Sequence, residues 1–112
     1  DPANVSVSGG NLVITAIKSK SKYTSARIKT QGLHSWTYGK VAARIKTPYG
    51  QGIWPAFWML GNNITSVGWP KCGEIDVVEV LGHRPRRAYG TVHGPGSAAE
   101  EGENGEGNLD SR

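Results

Sequence analysis

The segment Glu74-Ile75-Asp76-Val77-Val78-Glu79 decides how this 112-residue chain folds. Its β-branched residues alternate with carboxylates, which predicts a β-strand with one polar face. In a regular strand Glu74 and Asp76 share one face, whereas Glu79 has the opposite parity and points among the valines. Burying an unpaired carboxylate there is costly. We therefore predict a β-bulge at Val77–Val78, because one extra residue returns Glu79 to the face of the other two acids.

The charge distribution sets these three acids apart from the rest of the chain. Residues 1–99 contain twelve Lys and Arg but only four acids, and three of those four lie within positions 74–79. A net charge of +4 is compatible with nucleic-acid binding. Most of the basic residues are spread singly, however, so we expect no nucleic-acid partner. The sequence also lacks a long apolar run, which predicts no membrane span.

Turn-forming residues divide the rest of the chain into short β-branched runs. Sixteen glycines and six prolines are typical of strands joined by tight loops. We predict strands over residues 11–17, 23–30, 38–47, 53–60, 74–81 and 88–93. The third alternates most clearly, with Val41, Ala43 and Ile45 on one face. Because no segment has sustained helical periodicity, the pattern predicts an all-β fold, an antiparallel sandwich or jelly roll.

The end of the chain differs in composition from the rest. Residues 97–112 contain one large apolar side chain, Leu109, among many acids and glycines. Such a segment cannot bury enough surface to order itself. We therefore predict one domain over residues 1–99, followed by a flexible, acidic, Gly-rich tail over residues 100–112.

Three carboxylates on one strand face favour acid–base chemistry. Their mutual repulsion is expected to raise at least one pKa, which gives a protonated acid beside an ionised partner. Retaining glycoside hydrolysis needs such a pair about 5–5.5 Å apart, one to attack the anomeric carbon and one to protonate the leaving oxygen. A metal site and a solvated acidic edge are the alternatives at this point. No His, Asn or further Asp lies at ligand spacing, and an exposed edge would not alternate with Ile and Val.

Several ordered blocks closely resemble the glycoside hydrolase family 16 endo-β-1,3-glucanases, the laminarinases. The matching blocks are Tyr23–Arg27, Tyr38–Lys46, Gly50–Gly61, Gly68–Pro70, Gly73–Glu79 and Thr91–Pro95. They follow one register over about residues 4–97. The resemblance implies a concanavalin-like β-jelly-roll sandwich with a substrate cleft across its concave sheet. It also implies retaining endo-hydrolysis of β-1,3-glucan by two carboxylates.

The resemblance implies roles for individual residues. Glu74 corresponds to the nucleophile, Glu79 to the general acid/base, and Asp76 to the residue that tunes their protonation. The implied substrate-binding residues are Trp54, Trp58, Trp69, Arg27, Asn62 and His93. Trp54 and Trp58 have equal parity, so one face of a strand over 53–60 would present both. His93 is placed to hydrogen-bond a carboxylate of the acidic strand, although a purely structural histidine fits the sequence equally well.

The chain departs from this family in its length. The family domain is more than twice as long, so the resemblance implies a partial domain that a second chain, or the rest of a larger enzyme, completes. No cofactor and no metal ligand are expected in this chain, because the family's structural calcium site is built from the two termini of the domain. The resemblance further implies a secreted, extracellular protein with a β-glucan substrate.

Two other functions remain open on the sequence. One is a non-catalytic β-glucan-binding protein of the same fold, which the presence of all three carboxylates disfavours. The other is a hydrolase of an anionic galactan, as in the carrageenase and agarase branch. The basic balance of residues 1–99 favours that reading, whereas the tryptophan-rich blocks at 53–60 and 68–70 favour a neutral glucan.

Overall fold

The computed structural model describes residues 1–96 and the backbone of 102–108, within two compact units, Asp1–Trp36 and Thr37–Arg112. The first unit begins with a 3-10 turn, Pro2–Asn4, and continues with two antiparallel hairpins. Strand β1 (Val5–Ser8) pairs with β2 (Asn11–Ile14), and β3 (Ile17–Ser19) pairs with β4 (Lys22–Thr24). Gly9 and Gly10, both with positive φ, form the tight turn of the first hairpin.

The buried side chain of Asn4 connects the two hairpins of this unit. Its amide nitrogen donates to the carbonyl oxygen of Thr15 at 2.7 Å and to the hydroxyl of Thr24 at 3.2 Å. Thr15 follows β2, whereas Thr24 ends β4. A buried polar side chain bonded to both hairpins fixes their relative position, since breaking either bond leaves a donor without a partner.

The second unit contains a four-stranded antiparallel sheet with the order β5-β6-β7-β8. Its strands are β5 (Ala56–Leu60), β6 (Glu74–Glu79), β7 (Arg87–His93) and β8 (Gly102–Asn108). A single helical turn, α1 (Ile64–Val67), lies in the connection between β5 and β6. No helix in the described part of the chain is long and apolar enough to cross a membrane.

Strand β6 carries the predicted bulge. Phe57 and Trp58 are consecutive in β5 but stand opposite Val78 and Asp76, so Val77 is the extra residue. The pairing with β7 shows the same step, because the register shifts between Asp76 and Glu79. The bulge predicted at Val77–Val78 from side-chain parity is therefore confirmed.

Several other predicted strands differ from the observed ones. The run 11–17 is divided between β2 and β3, and the run 23–30 contributes only the end of β4. The run 38–47 forms no strand among the described residues, so that prediction is wrong. Alternation makes a strand only where a neighbouring strand supplies the ladder hydrogen bonds, and no described strand pairs with this run.

Strand β8 occupies part of the segment that the sequence analysis assigned to a flexible tail. Residues 102–108 instead pair along the whole of β7, from Arg87 opposite Asn108 to His93 opposite Gly102. Main-chain hydrogen bonds hold such a strand without burial of large side chains, which the compositional argument did not consider. The rest of the predicted tail, 100–101 and 109–112, lies outside the described residues.

Burial in the described residues does not follow hydrophobicity. Val80 is the sole buried hydrophobic side chain among them, whereas Asp76 and Thr91 are also buried. By contrast, Ile75 and Val92 in the same sheet keep about half of their surface exposed. The buried part of the second unit is therefore the polar side of its sheet, where the acids of β6 lie.

Candidate active site

The register of the sheet places the three acids of β6 on one face. Residues directly opposite each other in neighbouring strands share a face. The partners of Glu74, Asp76 and Glu79 have equal parity within each neighbouring strand: His93, Thr91 and Tyr89 on β7, and Leu60, Trp58 and Ala56 on β5. Since β5 and β7 are both regular here, all three acids must share the face of these partners. We call this side of the sheet the carboxylate face.

Glu74 forms its hydrogen bond with a residue outside the sheet. The indole Nε1 of Trp69 donates to Oε2 of Glu74 at 2.5 Å. Burial raises the pKa of the Glu74 carboxyl above its ordinary value, and the negative charge of Asp76 raises it further. The hydrogen bond from Trp69 and the proximity of His93 act in the opposite direction. The rise of a carboxyl pKa that the sequence predicts on this strand falls at Glu74, where burial is a larger cause than the repulsion between the acids that the prediction invoked.

Asp76 and His93 form a second polar pair on the carboxylate face. Nε2 of His93 lies 3.0 Å from Oδ2 of the buried Asp76. Nδ1 of His93 is also buried and has no hydrogen-bond partner among the described residues. A proton on Nε2 is the arrangement that fits, because it donates to the carboxylate and leaves no buried donor unpaired at Nδ1. His93 thus makes the carboxylate hydrogen bond that the sequence analysis considered.

The same three residues meet the geometric requirement for a metal cluster. Ligand atoms of Glu74, Asp76 and His93 all lie within 4.8 Å of one another. No His was expected at ligand spacing, and this expectation was wrong, because strand pairing places His93 directly opposite Glu74. A metal-bound His usually donates its second N–H to an acceptor. The described residues offer Nδ1 of His93 no such acceptor, so we assign no metal here.

The remaining predicted binding residues are distributed differently. Trp58 lies opposite Asp76, on the carboxylate face, and is half-buried. Trp54 precedes β5, which begins at Ala56 after a proline that cannot donate to the ladder, so the strand on which the predicted shared face of Trp54 and Trp58 rested does not extend to Trp54. The Trp54 ring is nevertheless 68% exposed. Asn62 is exposed in the turn after β5, and Arg27 belongs to the first unit.

Two residues of this face were missed by the sequence reasoning. Tyr89 stands opposite Glu79, and Thr91 stands opposite Asp76. Tyr89, Thr91 and His93 are two residues apart along β7. Side chains at this spacing lie on the same face of a strand. This signal was available once residues 88–93 were recognised as a strand.

Comparison with known proteins gives consistent matches. The family described as glycosyl hydrolases family 16 matches residues 1–111. A beta-glucanase from Rhodothermus marinus is 46% identical over 95 residues, which are 80% of this chain and 33% of that protein. A glucan endo-1,3-beta-glucosidase from Cryptopygus antarcticus is 37% identical over 116 residues, covering 96% of this chain and 42% of the relative.

A solved structure extends the match to the fold. The laminarinase catalytic domain from Thermotoga maritima MSB8 aligns with a TM-score of 0.85 at 47% identity, covering 96% of this chain and 45% of that one. The all-β jelly-roll prediction is therefore confirmed, with the chain forming part of such a sandwich. The chain spans less than half the length of each of these three proteins.

Proposed function

The chain belongs to glycosyl hydrolase family 16, and from this membership we propose that it carries the catalytic strand for retaining endo-hydrolysis of β-1,3-glucan. The observation that carries the proposal is the common face of Glu74, Asp76 and Glu79, which depends on the bulge at Val77. The names of the similar proteins, a beta-glucanase, a glucan endo-1,3-beta-glucosidase and a laminarinase, support β-1,3-glucan as the substrate.

The proposed reaction is a double displacement. The ionised carboxylate of Glu74 attacks the anomeric carbon while the protonated carboxyl of Glu79 gives its proton to the departing glycosidic oxygen. A covalent glycosyl ester on Glu74 results. Glu79, now a carboxylate, takes a proton from water, whose oxygen attacks the anomeric carbon and releases Glu74. The anomeric configuration is retained because the carbon is inverted twice.

Asp76 stands between the two reacting groups in this proposal. Its negative charge raises the pKa of Glu74, which ties the charge state of the nucleophile to that of its neighbour. The hydrogen bond to Nε2 of His93 holds the Asp76 carboxylate in place. We therefore assign His93 to positioning Asp76 and Asp76 to controlling the protonation of the strand.

Exposed indole rings support a neutral polysaccharide as the ligand. Trp69 is 46% exposed beside Glu74, and Trp54 is 68% exposed. Flat amphipathic rings suit the apolar faces of glucose units, whereas a sulfated galactan calls for cations. We propose that Trp54, Trp58 and Trp69 contact the glucan and that Arg27 and Asn62 contribute polar contacts.

Three further parts of the proposal concern the protein as a whole. Double displacement between carboxylates needs no cofactor, so we propose that none takes part in the reaction. We propose that the protein acts outside the cell, where a polysaccharide substrate is accessible. The exposed side chains of Ile75 and Val92 support a second sheet over the opposite face, and we propose that a second chain or the rest of a larger enzyme supplies it. The native mass of the active species tests this last point.

A substrate panel tests the proposed reaction. The protein is incubated with laminarin, mixed-linkage β-glucan, agarose and carrageenan, and the reducing ends released are compared with those released by Glu74→Gln. We expect release from laminarin and a loss of more than about 10³-fold in the variant, because the amide is a poor nucleophile. Near-full turnover by Glu74→Gln would refute the assignment.

The same panel separates the two alternative functions. Retarded migration in a laminarin gel without released products would indicate a non-catalytic binding protein. Preferential release from carrageenan or agarose would indicate an anionic or neutral galactan as the substrate. Either result would replace the proposed function, because each contradicts laminarin hydrolysis directly.

A further inference from the structure

The indole of Trp69 has a single hydrogen-bond donor, and that donor is in use. Nε1 lies 2.5 Å from Oε2 of Glu74, and an indole has no second N–H to offer. The ring is at the same time 46% exposed. Trp69 can therefore meet a sugar with its ring face while its nitrogen is engaged with the acid behind it.

The segment around Trp69 is braced by backbone hydrogen bonds. The amide of Cys72 donates to the carbonyl of Gly68 at 2.9 Å, and the amide of Gly73 donates to Pro70 at 3.0 Å. The amide of Gly61 closes the base of the connection by donating to Gly73 at 3.1 Å. A Cβ at Gly61 would overlap the carbonyl of Cys72, so this close approach requires glycine. These bonds fix the backbone before and after Trp69.

The ring of Trp69 also reaches the second polar pair of the carboxylate face. Its centroid lies 5.7 Å from that of His93, with the planes tilted by 57°, within the range of favourable aromatic contacts. His93 in turn is hydrogen-bonded to Asp76. One side chain therefore contacts Glu74 through its nitrogen and the partner of Asp76 through its ring.

We propose that Trp69 is a positioning residue for the Glu74 carboxylate, in addition to being a sugar-contacting ring. A residue that only stacks on sugar has no need to direct its nitrogen at the nucleophile. The hydrogen bond fixes Oε2, one of the two carboxylate oxygens of Glu74. The catalytic consequence rests on the proposed function, whereas the hydrogen bond itself does not.

The charges around Glu74 define what this hydrogen bond does. Asp76 on the same strand and His93 on β7 are the titratable groups that face Glu74, and β5 places the apolar Leu60 opposite it. Burial and Asp76 both favour the protonated acid, whereas a donor to the carboxylate favours the ionised form. Removing the donor therefore raises the pKa of Glu74 further and moves the acidic limb of kcat/KM to higher pH.

NMR of the indole N–H groups tests the hydrogen bond directly in the full chain. The chain has four tryptophans, and Trp69→Phe assigns one indole resonance by its disappearance. We expect that resonance to move with pH as Glu74 ionises and to stop moving in Glu74→Gln, which keeps the shape of the side chain without its charge. A Trp69 resonance that does not change with pH, or that changes equally in Glu74→Gln, would overturn the proposal.

Kinetics of the Trp69→Phe variant test the consequence for catalysis. Hydrogen bonds to charged groups are strong enough for kcat/KM to fall by about 10- to 100-fold, and we expect kcat to fall by more than KM rises. The acidic limb should move to higher pH. Trp54→Phe is the matched control, because it alters an exposed ring that does not donate to Glu74, and we expect it to affect KM without moving the limb.

The outcomes of the two experiments are distinguishable. An unmoved limb in Trp69→Phe, or an equal movement in Trp54→Phe, would show that Trp69 acts only as a sugar contact. Absence of hydrolysis in the wild-type protein would refute the proposed function, while the indole titration would still decide whether Trp69 holds Glu74. Trp36→Phe, which alters an exposed ring of the first unit, serves as the neutral variant in both experiments.

Discussion

The two faces of the four-stranded sheet differ in burial, and the polar face is the more buried one, which is the reverse of most soluble domains. On the carboxylate face Asp76 is only 5% exposed, whereas Ile75, its neighbour on the other face, is 48% exposed. We call that other side the apolar face; it carries Phe57, Met59, Ile75, Val78 and Val92. The carboxylate face is covered by its own hydrogen-bonded side chains. The side chains of the apolar face cannot cover one another by hydrogen bonding, so only a second layer of structure removes them from water.

The contrast separates a face whose polar side chains bond to one another from a face whose apolar side chains are exposed. Hydrogen bonds on the carboxylate face join β6 to β7 and to the loop before β6, so Glu74, Asp76 and their bonded partners all lie within the second unit. The exposed side chains of Ile75 and Val92 instead contribute little burial of apolar surface to the stability of this chain. Substitutions on the carboxylate face should therefore have large effects on hydrolysis or on the free energy of unfolding, and substitutions on the apolar face should have small ones.

The largest effect is expected for Glu79→Gln. Loss of the general acid should reduce laminarin hydrolysis by about 10²- to 10⁴-fold. Hydrolysis of an aryl glycoside should fall much less, because its leaving group needs no proton. The difference is measured as kcat/KM on both substrates, because kcat/KM reports the first step, in which Glu79 acts as the acid, and not the second, in which it acts as the base. Val77→Thr, at the exposed bulge residue, is the control and should stay close to wild type. Equal losses on the two substrates would contradict the role given to Glu79.

A smaller effect is expected for Asp76→Ala, measured as the free energy of unfolding. Removing the carboxylate leaves a part-buried donor at Nε2 of His93 without its partner, which costs about 1–3 kcal/mol. Asp76→Asn keeps an acceptor oxygen in the same place and should cost less. Denaturant unfolding of the two variants makes the comparison. An equal cost for both would mean that the hydrogen bond to His93 contributes little.

Deletion of Val77 should have a smaller effect still. The shortened sequence Glu-Ile-Asp-Val-Glu puts its last acid at even spacing from the first, so a regular strand keeps all three on one face. The pairing with β5 and β7 would also become continuous. We expect laminarin hydrolysis to stay within about tenfold of wild type, because the bulge serves parity alone. Complete loss of activity would show that the bulge does more.

The smallest effect is expected for Ile75→Thr on the apolar face. Ile75 is already half exposed, so a polar replacement should change the free energy of unfolding of this chain by about 0.5 kcal/mol or less. Chemical denaturation of the isolated chain measures it. A cost above about 2 kcal/mol would show that Ile75 is covered in solution, which would remove the contrast between the faces.

The sequence predicted those features that depend on spacing within one strand. The parity of Glu79 against Glu74 required the bulge at Val77–Val78, and the structure has it. The same reasoning failed at 38–47, where alternation is clear but no partner strand is described. Periodicity reports how a strand would orient its side chains. It does not report whether a neighbour is there to pair with it.

Which atoms of separate segments meet could not be read from the sequence, even where the resemblance implied that His93 bonds a carboxylate. The bond from Trp69 to Glu74 depends on how the loop before β6 closes, and the contact of His93 with Asp76 depends on the register of β7. Tyr89 shares the parity of His93 within one predicted strand, but its position opposite Glu79 depends on that register. These features arise from strand pairing, which composition and spacing within one segment do not specify.

The central claim is that the carboxylate face performs a double displacement with Glu74 as the nucleophile. The most direct measurement is the mass of peptides after treatment with a 2-deoxy-2-fluoro β-1,3-glucosyl substrate, which slows release of the covalent intermediate. The account predicts a glycosyl adduct on the peptide that contains Glu74 and none in Glu74→Gln. An adduct on any other residue, or turnover with inversion and without an adduct, would contradict it.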